Sequence, residues 1–290
     1  MKTPTDIAQN ACINGDIKTV EKILTNFQKY LDLEEIFMIA IDHGQLNIVQ
    51  ILIKNLTNVN FIKNGETPSF LATKNGHIDI VQTLLENGAD VNSTDNIFEK
   101  TALHIACENN NFDMVDLLIG SGNNIDINIK NIQGYTPLMT AVNLGCTNII
   151  KKLLNSGADY METNYEGENV MHIASKSNFC IFDIMKILLG VEELKKLKNS
   201  QDNIGNTPLI HAVIANNVTA ITILLLAGSD VNIKNNYGMG VHNYSKSQFI
   251  DRILSKDYFK ARADNKMIMD YCLNFNKILN LKNETDKIYL

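Results

Sequence analysis

The sequence has little of what marks several large protein classes. Its five cysteines are scattered over 290 residues without a Cys-x-x-Cys pair. Zinc sites and redox motifs need paired spacing, so we expect reduced thiols and no metal. An excess of basic residues is also missing, with a net charge of −6 and an isoelectric point near 5.5. This balance argues against nucleic acid as a partner, because phosphate binding needs clustered Lys and Arg.

Long hydrophobic runs are absent as well. The first ten residues, MKTPTDIAQN, contain no apolar core of the kind found in signal peptides. The longest apolar run covers residues 221–227 and includes a threonine, far short of the ~20 residues that span a bilayer. We therefore expect a cytoplasmic protein that does not insert into a membrane.

Catalytic motifs are missing too. The sequence contains no phosphate-binding loop, HExxH, GxSxG or kinase signature. His43, His211 and His242 have no His, Cys or carboxylate partner at ligand spacing, so neither a metal site nor a catalytic triad is predicted. We expect a protein without enzymatic activity or cofactor.

The sequence does contain a repeat. Residues 65–92 read GETPSFLATKNGHIDIVQTLLENGADVN, which predicts a turn, a short apolar helix, a second turn, a longer amphipathic helix and a Gly-Ala-Asp turn. The Thr of its Thr-Pro pair aligns with one residue in each later copy: Thr67, Thr101, Thr136, Asn169, Thr207 and Gly240. The steps between them are 34, 35, 33, 38 and 33 residues. Two earlier copies, at 11–24 and 40–52, keep the helix-turn-helix pattern without the Thr-Pro pair. A period in this range indicates a repeat architecture.

The repeated phrase resembles the ankyrin-repeat consensus, D-x-x-G-x-T-P-L-H-x-A-A-x-x-G-H followed by V-V-x-L-L-L-x-x-G-A-D-V-N. The resemblance implies an all-α fold, a solenoid of stacked helix-turn-helix units with β-hairpin fingers and extra C-terminal helices. It places an ankyrin-repeat domain at 1–254, with repeats near 3–33, 34–61, 62–94, 95–130, 131–163, 164–201, 202–234 and a degenerate 235–254. Residues 255–290, apolar at helical spacing, are predicted to form either a helical cap or an extension that binds a partner.

Single positions carry further expectations. Thr before Pro caps the first helix of a repeat, and Gly or Asn ends it in a left-handed conformation, with Asn at 110, 178 and 216. The resemblance implies that His104 and His172 bond the backbone of the adjoining turn. The step of 38 places extra residues at 190–201, where a solvated lysine-bearing loop or a contact for an acidic partner is expected. Glu99 replaces the finger glycine, so that finger is predicted to be a residue longer or differently turned.

In the family, partner contacts come from finger tips and from the exposed end of each first helix. Carried over by alignment, the predicted partner-binding residues are Phe98, Lys100, Glu108, Asn109, Gln133, Tyr135, Asn143, Leu144, Tyr165, Glu166, Lys176, Ile204, Asn206, Ile214 and Tyr237. Exposed aromatic side chains are typical interaction anchors, although some of these could pack against the next finger.

The resemblance therefore implies a monomeric, non-enzymatic scaffold that binds a protein partner through its fingers and concave inner face. The richness in Asn, Ile and Lys suggests an AT-rich genome, such as that of an intracellular bacterium, a protist or a large virus. Such an origin would allow a host-directed effector in the host cytosol. The alternative is an adaptor whose C-terminal helices recruit an enzyme to a target bound by the repeats.

Overall fold

The computed structural model describes residues 3–122, 124–177, 179 and 181–255. The chain divides into two compact units, one formed by 1–140 with 155–158 and the other by 141–154 with the chain from 159 onward. Residues 256–290 of the predicted cap or extension at 255–290 lie outside the described residues, as does Asn178. Within the described part, no helix has the length and apolar character needed to cross a membrane.

The first unit is built from consecutive helix pairs. Its helices are α1 (Pro4–Asn14), α2 (Ile17–Phe27), α3 (Leu33–Asp42), α4 (Leu46–Leu52), α5 (Pro68–Lys74), α6 (Ile78–Glu86), α7 (Ala102–Glu108) and α8 (Phe112–Gly120). The next helix, α9 (Pro137–Leu144), begins in this unit and ends in the second.

The second unit continues the pattern. Its helices are α10 (Thr147–Asn155, except the last residue), α11 (Val170–Lys176), α12 (Ile181–Gly190), α13 (Pro208–Ile214), α14 (Val218–Leu226), α15 (Val241–Tyr244) and α16 (Gln248–Leu254). Each pair from α1–α2 to α15–α16 is counted below as one repeat, numbered one to eight. The first helix of a pair is called inner and the second outer.

Within each unit, like helices pack on like. Inner helices contact the next inner helix, as α3 contacts α5 and α11 contacts α13, and outer helices do the same, as α4 contacts α6 and α12 contacts α14. Ala72, Ala106 and Ala212 are fully buried on the inner helices, where a small side chain allows close approach. Leu84 and Leu224 are fully buried on the outer helices, where burying such a side chain contributes roughly 1.5–3 kcal/mol. A single pair cannot bury both of its faces, so stability comes from neighbouring repeats.

Threonine caps begin the inner helices as predicted. The hydroxyls of Thr67, Thr101 and Thr207 each accept a hydrogen bond from the backbone N–H three residues later. Asn169 takes this place in repeat six and accepts from the N–H groups of Met171 and His172. These bonds satisfy N–H groups that have no partner inside the helix.

The inner helices end with help from the following repeat. Asn110 and Asn216 take φ values of 49° and 56° after their helices, which confirms the predicted left-handed ends. The side-chain amide of Asn109 donates to the carbonyl of Lys74 at 3.1 Å, one repeat earlier. In the second unit Ser177 Oγ donates to the carbonyl of Asn143 at 3.1 Å. Carbonyls that a helix cannot satisfy itself are therefore capped from the next repeat.

The insertion at 190–201 is not the predicted solvated loop. Residues Glu193–Asn199 form a 3₁₀ helix whose Leu194 and Leu197 are buried. These leucines are three residues apart, which is one turn of such a helix, so they share a face. Lys198 Nζ donates to the carbonyl of Ala227 at 2.6 Å, so this lysine bonds the protein itself.

Candidate protein-binding face

The fingers are tight turns that each start from a buried Asp or Asn. They cover residues 95–100, 131–135, 164–168, 202–206 and 235–239. The first side chain of each accepts backbone N–H groups from its own turn: Asn164 Oδ1, for example, accepts from Glu166 at 3.0 Å and from Glu168 at 2.8 Å. Such side chains mimic a backbone turn, and they add to the backbone hydrogen bond that joins the two ends of each finger. In the described residues, isolated antiparallel bridges join only Lys63 to Glu66 and Thr94 to Thr101.

The finger at 95–100 is one residue longer, as predicted. The N–H of Asp95 donates to the carbonyl of Lys100, five residues on, whereas that of Asn131 donates to Tyr135, four residues on. The extra residue is accommodated by Glu99, which takes a left-handed φ of 54°.

Adjacent fingers within a unit are joined by backbone hydrogen bonds. In the second unit the N–H of Asn203 donates to the carbonyl of Glu166, and that of Asn236 donates to Ile204, both at 3.0 Å. In the first unit Ile132 donates to Phe98 at 2.9 Å. The finger tips therefore hold fixed positions along each unit.

An ion pair closes the base of several repeats. It joins the residue before the threonine or asparagine cap to the last residue of the inner helix. The nitrogen–oxygen distances are 2.7 Å for Lys74–Glu66, 2.8 Å for Lys100–Glu108 and 2.6 Å for Lys176–Glu168. Three predicted contact residues, Lys100, Glu108 and Lys176, are thus already paired within the chain. Repeats five and seven have Tyr135 with Asn143 and Asn206 with Ile214 at these two positions.

The fifteen predicted residues differ in exposure. Ten are exposed: Phe98, Asn109, Gln133, Asn143, Leu144, Tyr165, Glu166, Ile204, Ile214 and Tyr237. Lys100, Glu108, Tyr135 and Lys176 are half-buried. Asn206 is buried, and the prediction that it contacts a partner needs correction. Its carbonyl lies 3.1 Å from His172 Nε2, and its side-chain oxygen accepts from Asn235.

The four finger aromatics do not form one aligned column. Each finger begins at a buried Asp or Asn. The aromatic residue follows it by three positions at Phe98, four at Tyr135, one at Tyr165 and two at Tyr237. Tyr165 and Tyr237 are the most exposed, at 63% and 70%. The Lys100 Nζ atom lies over the ring of Phe98, 4.9 Å from the ring centroid.

A buried ionic network was missed by the sequence analysis. His211 Nε2 lies 2.7 Å from Asp202 Oδ2 and 3.7 Å from Glu168 Oε1, so the prediction that His211 has no carboxylate partner is wrong. Both carboxylates are buried, and Lys176 bonds both oxygens of Glu168. Burial opposes ionisation of Glu168, but hydrogen bonds from Lys176 and Asn164 outweigh it and hold the pKa of that carboxyl below its usual range. The available signal was Asp202 itself, since it replaces the Asn that begins neighbouring fingers and its second oxygen needs a partner.

This network does not have the character of a metal centre. One ligand atom each from Glu168, Asp202 and His211 lie within 4.8 Å of one another, a separation that a divalent cation could bridge. A cation there would have to displace the Lys176 ammonium from Glu168 and break the bond between His211 and Asp202. The three side chains are already paired with one another or with Lys176, so the arrangement is structural.

His104 and His172 have the role that the resemblance implied. Nε2 of His104 lies 2.9 Å from the carbonyl oxygen of Tyr135, while its Nδ1 accepts from the N–H of Thr101. His172 repeats this arrangement with Asn206 and Asn169. The ring is therefore neutral with its proton on Nε2, and burial lowers the pKa of each histidine to about 4.

Comparison with known proteins agrees with this geometry. A family model described as "Ankyrin repeats (3 copies)" matches residues 8–95, 90–164 and 160–235, well over half of the chain. The chain belongs to the ankyrin-repeat family, whose repeats form protein–protein interaction domains. The crystal structure of the human ASB11 ankyrin repeat domain superposes with a TM-score of 0.61 at 23% identity, covering 75% of this chain and 95% of that one. This likeness supports the ankyrin-repeat solenoid as the fold.

Two curated relatives illustrate the range of proteins that carry similar repeats. The phosphocholine transferase AnkX of Legionella pneumophila is 30% identical over 145 residues, which is 50% of this chain and 15% of that protein. The putative ankyrin repeat protein FPV031 of fowlpox virus is 35% identical over 159 residues, 53% of this chain and 46% of the relative. The chain thus spans less than half the length of either relative.

Proposed function

We propose that the chain is a non-enzymatic scaffold that binds a protein partner through its fingers and the exposed ends of its inner helices. The observation that carries this proposal is the exposure of large apolar side chains at the fingers of the second unit. Tyr165, Ile204 and Tyr237 are 63%, 45% and 70% exposed on turns whose other exposed residues are polar or glycine. Exposed apolar groups on a rigid base are suited to anchor a partner.

We propose further that residues 1–254 form the binding domain and that the protein acts as a cytoplasmic monomer. Action as an effector inside a host cell is supported by the composition and by the similarity to a fowlpox virus protein. The adaptor alternative depends on residues 255–290, nearly all outside the described part of the chain.

The test is affinity capture from eukaryotic cytosolic extract, with quantitative mass spectrometry. A finger variant carries Phe98→Ser, Tyr165→Ser and Tyr237→Ser. A matched control carries Phe27→Ser, Phe112→Ser and Phe249→Ser, which remove three comparably exposed rings from outer helices. Circular dichroism and thermal melting establish that both variants fold.

We expect proteins that are retained by the wild type and the control and lost by the finger variant. Equal retention by all three would show that the fingers bind nothing, and the proposed face would be abandoned. Loss from the control alone would move the site to the outer helices. A captured enzyme that is lost only when residues 256–290 are altered would favour the adaptor.

A further inference from the structure

Repeat seven differs from the other repeats in having no charged residue after the buried Asp202 that begins its finger. Residues 203–229, from its finger to the end of its outer helix, contain no Lys, Arg, Asp or Glu. The equivalent stretches of repeats three, four and six, at 63–89, 97–123 and 165–191, contain five such residues each, and that of repeat five, at 132–158, contains two. A surface repeat that gives up every charge loses solubility, so the composition indicates contact with something apolar.

The missing charges include the ion pair at the base of the repeat. In repeat six this place holds Glu168 and Lys176, whose charged atoms lie 2.6 Å apart. In repeat seven the same positions hold Asn206, which is buried, and Ile214, which is 36% exposed at the end of α13. Ala215, the next residue, is exposed as well. The end of this inner helix thus presents apolar surface where repeats three, four and six present a salt bridge.

The finger of the same repeat also exposes an apolar side chain. Ile204 is 45% exposed, two residues before Asn206. Its carbonyl accepts the N–H of Asn236, which fixes the next finger and Tyr237 beside it. We call Ile204, Ile214, Ala215 and Tyr237 the repeat-seven patch.

Positive charge borders the patch on the side of repeat eight. Lys246 Nζ lies 3.4 Å from the carbonyl oxygen of Ile214, which places this ammonium at the edge of the patch. Lys234 is exposed immediately before the next finger, and residues 231–250 contain no Asp or Glu. A charged group of a partner placed on the uncharged centre of the patch would lose its hydration without gaining an ion pair. A carboxylate beside Lys234 or Lys246 would gain an ion pair.

We propose that the repeat-seven patch binds a peptide segment of a partner protein that places one large apolar side chain on Ile214 and carboxylates beside Lys234 and Lys246. This inference rests on the proposed function and assigns the chemistry of the partner to one repeat.

The experiment uses the full chain and an array of synthetic 12-residue peptides. Each peptide has a central Leu, Phe or Trp flanked by Asp and Glu, by Lys and Arg, or by Ser and Gly. Peptides retained on the array are labelled with fluorescein and titrated by fluorescence anisotropy at 50 and 300 mM NaCl. The variants are Ile214→Ser and Lys246→Glu, and the matched control is Ile132→Ser, a 50% exposed isoleucine on a finger of the first unit.

We expect the acidic peptides with a large central side chain to bind best, and more weakly at the higher salt concentration. Ile214→Ser should reduce affinity about tenfold, the usual effect of removing a central anchor. Lys246→Glu should reduce affinity severalfold and remove most of the salt dependence, while Ile132→Ser leaves binding unchanged. Equal binding by Ile214→Ser and Ile132→Ser, or preference for basic peptides, would overturn the proposal.

A photo-crosslinker in place of Ile214 distinguishes the peptide from two other occupants of the patch, namely residues 256–290 of the same chain and a second copy of the chain. Crosslinks from Ile214→p-benzoylphenylalanine to residues 256–290 of the same chain would show that the chain itself covers the patch. Crosslinked dimers, with a concentration-dependent mass in sedimentation, would show a second copy there. Either result would overturn the peptide assignment. If the finger variant loses captured proteins while Ile214→Ser keeps them all, the proposed function stands and only the repeat-seven assignment fails.

Discussion

The two units resemble each other in fold and differ in how they place charge. Residues 1–140 contain nine Lys and seventeen Asp or Glu, a formal net charge of −8, whereas residues 141–255 contain ten of each sign. In the first unit the Glu66–Lys74 pair is open to solvent, with side chains 24% and 52% exposed. In the second unit the equivalent Glu168 is only 2% exposed and also meets His211. The same sequence position is thus a surface ion pair in one unit and part of a buried network in the other, so its energetic weight depends on burial.

We expect the largest effect from breaking this ion pair in the second unit, and breaking it in the first unit provides the comparison. Lys176→Met should destabilise the fold by about 3 kcal/mol, the low end for breaking a buried pair because Lys176 is itself a third exposed. Lys74→Met should cost less than about 1 kcal/mol, since exposed pairs contribute little. Urea denaturation of the full chain at pH 7 measures both. Equal midpoints for the two variants would contradict the difference in burial.

Acid should affect both units alike through His104 and His172. Their folded pKa of about 4 lies below the unfolded value near 6.5, so the unfolded chain binds protons first and stability falls as pH drops from about 6.5 to about 4. Between pH 7.5 and pH 5 each histidine should remove about 2 kcal/mol. Urea midpoints at pH 7.5, 6 and 5 give the slope.

Replacing both histidines by Gln should flatten that slope, whereas His43→Gln on the surface should leave it unchanged. A slope that survives the double replacement would assign the acid sensitivity to other groups.

Glycine in the fingers distinguishes the second unit from the long finger of the first. At Gly205, with φ of 83°, an added Cβ would lie 2.7 Å from the backbone nitrogen of Asn236 in the next finger. Gly205→Ala should therefore cost about 1–2 kcal/mol through a left-handed alanine and the clash. Gly157→Ala provides the control, because its φ of 85° is similar and no atom lies within 4 Å of the added carbon. Equal thermal shifts would show that finger stacking adds nothing to the cost.

The smallest expected effect has the opposite sign. Glu99 holds a left-handed φ of 54° where fingers of the second unit have glycine. Glu99→Gly should remove that strain and stabilise the chain by about 0.5–1 kcal/mol. Glu99→Ala keeps the conformation while removing the charge, so it should give no such gain. A melting temperature raised equally by both variants would assign the effect to charge.

Local rules predicted the repeating part of the structure. Thr101 and Thr207 cap their helices, Asn110 and Asn216 end theirs, and the finger with Glu99 has its extra residue, because each of these depends on neighbours within one repeat. The His104 and His172 bonds followed from the family resemblance.

What sequence reasoning missed depends on contacts between repeats. Glu168 meets His211 across 43 positions, a spacing that no ligand motif describes. Asn206 was aligned as a tip residue, but its amide oxygen faces Asn235 of the next finger. The lysines at 195, 196 and 198 suggested a solvated loop. Leu194 and Leu197, on either side of the first two lysines, are buried, and the segment is a packed 3₁₀ helix.

The capping of α5, α9 and α11 by the repeat that follows each of them gives the chain a direction during synthesis. A ribosome releases Lys74 before Asn109 and Asn143 before Ser177. Each of these inner helices therefore leaves the exit tunnel with carbonyls that stay bonded to water until about one more repeat has emerged. Folding on the ribosome should consequently lag translation by one repeat. The C-terminal end of α11 should stay frayed until Asn217, which bonds the carbonyl of Ser175, has emerged from the tunnel.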